Sequence, residues 1–205
     1  MFEPIDYEKL NETDVREEII APFLRELGYR SGTPNDVIRE QSLRYPRIYM
    51  GRKNASKDPL MRGKADYILD VQNTVRWVLE AKAPDVELSI DVLEQAWTYA
   101  THPEIRAVYF AICNGTHLHI FQSSLPPSAK AVLTVAYESF AADFGRIENL
   151  IGPEALLRDH PRINLDTGDP IGDGLRSVVR ITNGLVQYHQ CNLDLPIFKE
   201  LQIGI

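Results

Sequence analysis

No stretch of this sequence approaches the roughly eighteen consecutive apolar residues that a membrane-crossing helix needs, so no membrane partner is expected. Cysteine is nearly absent: Cys113 and Cys191 lie 78 positions apart, without the spacing of a metal site or a disulfide framework. Reduced thiols in a cytoplasmic protein are the expectation. The opening MFEPIDYEKLNE carries neither the basic region nor the apolar core of a secretory signal. No Gly-x-x-x-x-Gly-Lys-Ser/Thr loop occurs, which excludes an ATP-driven motor within these residues. No serine or cysteine nucleophile stands beside a histidine as acyl transfer would require. Internal repeats and low-complexity tracts are missing as well. His117-x-His119 has no third ligand at useful spacing, so cross-strand packing is preferred to zinc. The aspartates at 166, 169 and 173 lack the alternation and closing glutamate of a calcium loop, which leaves a solvated linker.

An excess of positive charge is also missing. The net charge of −7 argues against a nucleic-acid partner if it is spread evenly, but it is not. Between Arg39 and Lys64 stand eight basic residues (Arg39, Arg44, Arg47, Arg52, Lys53, Lys57, Arg62, Lys64) against two acidic ones, Glu40 and Asp58. That local +6 leaves −13 for the remainder. The stretch reads either as a solvated loop or as a phosphate-facing surface built from Arg44, Arg47, Arg52, Lys53, Lys57, Arg62 and Lys64.

What the sequence does have is 205 residues, 44% of them hydrophobic, enough for a sizeable core. Asn11 is an acceptable N-cap for a helix that runs through ETDVREEIIAPFLRELGY to a Gly28 stop, with a kink or break at Pro22. Val15, Ile19, Ile20, Phe23 and Leu27 form its apolar stripe; Glu12 projects onto that stripe, whereas Glu17 and Glu18 project away. DVIREQSL reads as a strand, and ADYILDV and VRWVLEAK as two strands joined by a QNT turn. SIDVLEQAWTYATHP is helical, capped by Ser89 and stopped before Pro103. IRAVYFAIC and HLHIFQS flank an Asn114-Gly115 turn, and AKAVLTVAYESF adds a further strand. The expected architecture is α/β, a central mixed sheet flanked by helices, over residues 1–145. Residues 146–205 read as an appendage: a helix at 146–158, a polar linker NLDTGDPIGDG, an Asn-Gly hairpin and an apolar end, LPIFKELQIGI. That end needs covering, either in a longer protein or on a second copy of the chain.

The chemistry concentrates in WVLEAKAP. Glu80 and Lys82 occupy i and i+2 of an apolar strand, so both side chains emerge on one face. Half-buried charges are costly unless they are paired, hydrogen-bonded or bound to a metal. Asp66 sits near the start of the partner strand, and Gln95 and Tyr99 share one face of the following helix. Two readings stay open on these residues alone. One is a set of ordinary ion pairs. The other is an oxygen-rich seat for Mg²⁺, with a lysine beside it to stabilise negative charge on a phosphodiester.

The run GKADYILD…WVLEAKAP…EQAWTYA resembles the PD-(D/E)xK nuclease superfamily, and within it the N-terminal nuclease domain of type I restriction enzyme R subunits. The shared pattern falls on Ala65, Asp66, Tyr67, Glu80, Ala81, Lys82, Gln95 and Tyr99, with Ala65 where the family has proline. A first-helix pattern falls on Glu12, Arg16, Pro22, Leu24 and Gly28, and the likeness spans about residues 10–125. The resemblance implies a restriction-endonuclease-like core, Mg²⁺ (or Mn²⁺) as cofactor and double-stranded DNA as substrate, with further copies of the chain or restriction-complex subunits as partners. It implies that Asp66 and Glu80 hold the metal together with the Ala81 carbonyl, and that Glu12 completes the shell through water. Lys82 would serve the nucleophile, and Gln95 and Tyr99 would orient water, Lys82 or phosphate. The expected activity is a Mg²⁺-dependent endonuclease of restriction or defence type; the alternative is a catalytically weak DNA-binding or assembly module.

Overall fold

The β-rich runs of the sequence pair into one mixed sheet. The computed structural model describes residues 5–45 and 62–161 and, as backbone, Asn164–Asp166 and Val178–Arg180. Strands β1 (Asn35–Arg44), β2 (Arg62–Val71), β3 (Val75–Ala81), β4 (Tyr109–Cys113), β5 (His117–Gln122) and β6 (Leu133–Ala136) form a six-stranded sheet in sequence order. Neighbours are antiparallel except β3 and β4, which run parallel. A parallel pair needs a crossover, and the helix α3 (Ile90–Ala100) supplies it. The QNT turn closes β2 on β3 with Gln72 and Asn73 both in the left-handed region, a geometry that follows the right-handed twist of the strands it joins.

Both faces of the sheet are covered, which is why β3 reads as a nearly continuous apolar run. On one face, Trp77 and Leu79 pack with Val15, Ile19, Ile20 and Phe23 of the first helix, and with Phe140, Ile147 and Leu156 of α4 (Phe140–Ile151) and α5 (Pro153–Asp159). On the other, Val78, Phe110 and Ile112 pack with Ala96 and Ala100 of α3. Every member of the predicted first-helix stripe is buried.

The kink expected at Pro22 takes a specific form. Asn11 caps α1 (Glu12–Asp14) in a reciprocal capping box with Asp14. Residues Val15–Ile20 then widen into a π-helical turn before α2 (Ala21–Glu26) begins. A proline ring in an α-helix collides with the carbonyl four residues back. Here the amide of Ala21 bonds to Arg16, five residues back, so the helix makes room one turn ahead of Pro22. The rod ends in a Schellman cap: Gly28, at φ 89°, donates to the Arg25 carbonyl and Tyr29 donates to Leu24.

The chain divides into two compact units, Met1–Arg162 and Ile163–Ile205. The helix expected at 146–158 is two helices, because Gly152 and Pro153 interrupt it and because it starts earlier, at Phe140. A boundary at 145 would fall within α4. In the second unit Asn164–Asp166, part of the stretch expected to be linker, pairs antiparallel with Val178–Arg180. The Asn-Gly turn and apolar end expected beyond it lie outside the described residues. His119 hydrogen-bonds across the sheet to Thr134 Oγ1 (3.1 Å), a packing role rather than a ligand's. Among the described residues no helix is long and apolar enough to cross a membrane.

Candidate active site

The site forms where the β2–β3 ladder stops. The last registered pair at that end is Tyr67↔Leu79. The next residues along, Asp66 and Glu80, follow this pair at the point where the strands part. Asp66 fills the gap with its own side chain: Oδ2 accepts a hydrogen bond from the Ala81 amide at 3.0 Å. Its other oxygen, Oδ1, accepts from Arg16 Nη2 at 2.7 Å. Burial pushes this carboxyl above the usual aspartate range, although the Ala81 amide and Arg16 work the other way.

Glu80 is only 2% exposed. Its Oε1 accepts from Lys82 Nζ (3.0 Å) and from Gln95 Nε2 (3.1 Å). Its Oε2 is buried and has no hydrogen-bond partner. Burial, reinforced by the negative charge of Asp66, pushes the Glu80 carboxyl up to about 7, while Lys82 opposes the rise. Buried polar atoms are nearly always satisfied, so an orphaned carboxylate oxygen marks a place where something else belongs.

The helix α3 closes the other side. Gln95 Oε1 lies 3.4 Å from Lys82 Nζ, and Gln95 Nε2 reaches the Tyr99 hydroxyl at 3.2 Å. Gly63 of β2 lets Tyr99 approach: a Cβ at position 63 would lie 2.6 Å from Tyr99 Cε1. Glu80, Lys82, Gln95 and Tyr99 thus form one hydrogen-bonded chain, and Asp66 bonds to the amide of Ala81, the residue between Glu80 and Lys82. Glu12 stands beside it, joined to Asp66 through Arg16, whose Nη2 is 2.6 Å from Glu12 Oε1. Among the described residues no cage of three or more His, Cys, Asp or Glu side chains exists. The orphaned oxygen belongs to one of two carboxylates close enough for their charges to interact, Glu80 and Asp66, an oxygen donor set that suits a hard cation retaining several waters.

Not every buried acid belongs here. Asp70, also buried, is spent on Arg76 and the Asn73 amide at the far end of the hairpin.

Of the basic residues, Arg44 and Lys64 are exposed at the end of β1 and β2 that carries Asp66. Lys64 Nζ pairs with Glu40 at 2.9 Å. Arg62 lies in β2 opposite Arg44. Arg47, Arg52, Lys53 and Lys57 lie outside the described residues. At the end of β1 the Tyr45 hydroxyl donates to the Thr98 carbonyl of α3 (3.2 Å), and His102 Nε2, just past that helix, meets the Arg44 carbonyl (3.2 Å).

Two residues join the site without having been assigned a role from sequence. Arg16 appeared only as part of a pattern, though an arginine four positions after Glu12 is the spacing of a helical ion pair. Glu40 appeared only as an acid among bases. It lies between the registered pairs Arg39↔Tyr67 and Gln41↔Ala65, across from Asp66, at φ 52°. No sequence signal announces a left-handed glutamate inside a strand.

No protein-family model matches the chain, and no curated protein matches it. A solved structure similar to it is titled "The fragment structure of a putative HsdR subunit of a type I restriction enzyme from Vibrio vulnificus YJ016", with 20% identity and a TM-score of 0.44. The match covers 66% of this chain and 26% of that one, so this chain corresponds to about a quarter of its length.

Proposed function

We propose that this chain is a Mg²⁺-dependent endonuclease that hydrolyses DNA phosphodiester bonds, of the restriction type that its motif order resembles. The observation that carries the reading is Glu80 Oε2, a buried carboxylate oxygen without a partner, in a network that also holds Asp66 and Lys82. Asp66, Glu80 and the Ala81 carbonyl would hold the metal, and Glu12 would reach it through water. When bound, the ion supplies a Lewis acid for a phosphate oxygen and lowers the pKa of a water.

The chain's own residues do the rest. Lys82, with a side chain 15% exposed, presents a fixed cation at the rim of the site, where it stabilises negative charge developing on the phosphate. Gln95 bridges Glu80 and Lys82 and holds both in place. Tyr99 holds Gln95 and offers its hydroxyl to phosphate or water. A cleft of about 580 Å³ is lined by Ala83 and Pro84, which follow Lys82 in the chain, and by Tyr7, Leu10 and Thr116 among others. The exposed Arg44 and Lys64 stand at the end of β1 and β2 that carries Asp66, where a duplex backbone would be positioned by phosphate contacts.

A second reading is favoured by a specific feature: each acid already has a counter-charge, Arg16 for Asp66 and Lys82 for Glu80. A module that binds DNA and cuts it weakly fits that self-neutralised state. Supercoiled plasmid incubated with the protein in Mg²⁺, Mn²⁺ or EDTA separates the two. The endonuclease reading expects metal-dependent nicking that Lys82→Ala abolishes. Salt-sensitive DNA retention with no nicking in either metal selects the second reading and refutes the first.

A further inference from the structure

The surroundings of Arg16 are unusual, because one guanidinium serves three carboxylates. Its Nη2 lies 2.7 Å from Asp66 Oδ1 and 2.6 Å from Glu12 Oε1, and its Nη1 lies 3.5 Å from Glu40 Oε1. The three acids are not alike. The Asp66 side chain is 11% exposed, whereas those of Glu12 and Glu40 are 42% and 54% exposed. The planar fork therefore spans from a buried acid, which needs a counter-charge, to two wet ones, which do not.

The backbone around the arginine is distorted at both ends of this arrangement. Arg16 sits in the widened π-helical turn, with Val15, Ile19 and Ile20 buried around it. Glu40 is held in a left-handed conformation across from Asp66, a geometry that costs a non-glycine residue free energy and clusters at functional sites. Arg16 Nε is buried without a partner, so the present contacts do not use the whole guanidinium.

We propose that Arg16 is a built-in counter-cation of the metal site: it neutralises Asp66 when no metal is present, and it shifts onto Glu40 and Glu12 when a divalent cation takes Asp66. This rests on the metal-site reading above and adds a consequence to it. A fixed positive charge in contact with a metal ligand opposes the incoming cation, so Arg16 lowers the metal affinity. Glu40 raises it, by giving the displaced guanidinium somewhere to go. An arginine that merely held Asp66 in position would do the reverse, since its loss would disorder a ligand and weaken binding.

Mn²⁺ binding to the full chain, measured by calorimetry without DNA, tests this. Wild type is expected to bind, and Glu80→Gln to lose binding. Arg16→Gln should bind about tenfold more tightly, a change of about 1.4 kcal/mol. Glu40→Gln should bind several-fold more weakly, and that loss should vanish in the Arg16→Gln background, because it acts through the arginine. Unchanged or weaker binding by Arg16→Gln overturns the counter-cation role while leaving the metal site standing. An equal Glu40→Gln effect in both backgrounds does the same. Should Arg16→Gln fail to fold, Glu40→Gln decides alone, and unchanged affinity there overturns the proposal. A wild type that binds no Mn²⁺, or a Glu80→Gln protein that binds it as well as wild type, overturns the metal-site reading and this proposal with it.

Discussion

Replacing Glu80 with glutamine should make the metal-free protein more stable, and increasingly so as pH rises. Glu80 is 2% exposed, and its carboxyl moves from 4.5 in water to about 7 in the fold, through burial and the charge of Asp66. The folded state therefore holds this proton more tightly than the unfolded chain does. Between pH 4.5 and about 7 the folded state carries more protons, so stability falls as pH climbs through that window. Above it the full penalty is present: at about 1.36 kcal/mol per pKa unit, the shift is worth about 3 kcal/mol. Glutamine keeps the size and an acceptor oxygen but cannot ionise. In EDTA, urea unfolding of wild type and Glu80→Gln at pH 5, 6, 7 and 8 should give a stability difference that grows in favour of the variant by about 2.5 kcal/mol across the series, part of the penalty being present already at pH 5. Taking the difference cancels the titrating groups that do not interact with Glu80. At pH 8, Mg²⁺ should restore stability to wild type, by about 2.7 kcal/mol at a hundred times its Kd, and leave the variant unmoved. A difference that stays flat with pH, or grows in favour of wild type, refutes the argument that this carboxylate is held against its preference.

Two further substitutions probe the frame around the site. Tyr29→Phe should cost about 1–3 kcal/mol in urea unfolding, because the Tyr29 hydroxyl accepts from buried Trp77 Nε1 at 2.9 Å and donates to the Ile151 carbonyl at 2.6 Å, leaving two buried groups unpaired. Gly63→Ala should displace the Tyr99 ring, since the added carbon would lie 2.6 Å from it; plasmid nicking should fall at least tenfold with the thermal midpoint within a few degrees of wild type (roughly 1 kcal/mol), and undiminished nicking would remove Tyr99 from the site.

Much of the fold was legible because it is periodic. The first-helix stripe, the Ser89 cap, the QNT and Asn114-Gly115 turns and the alternating strands are local signals, and each occurs where the sequence places it. Local reading weakened where one residue type serves several outcomes. Pro22 announces a disturbance but not its kind, and the helix answered with a wide turn upstream rather than a break. Gly152-Pro153 splits what hydrophobic spacing alone joins. For the site, the sequence brought forward Asp66, Glu80, Lys82, Gln95 and Tyr99; the fold links the last four by hydrogen bonds and ties Asp66 to the amide between Glu80 and Lys82. It was silent on Glu40, whose placement depends on a backbone angle, and on the charge states, which depend on burial contributed by both faces of the sheet. A carboxylate looks the same in a string of letters whether it is wet or dry.

The hydrogen bond from Ala81 to Asp66 gives that aspartate a second job, as a spacer wedged where two strands diverge. Its reach is dictated by masonry as much as by chemistry. A glutamate there would carry the same charge on a stem one methylene too long, and would prise the strands apart or abandon the amide. Asparagine would keep the wedge while discarding the charge. Glu80 Oε1 is instead gripped by two side chains, those of Lys82 and Gln95, which can follow it if it moves. The two acids of the pair thus answer to different tolerances, and length at position 66 matters as much as ionisation.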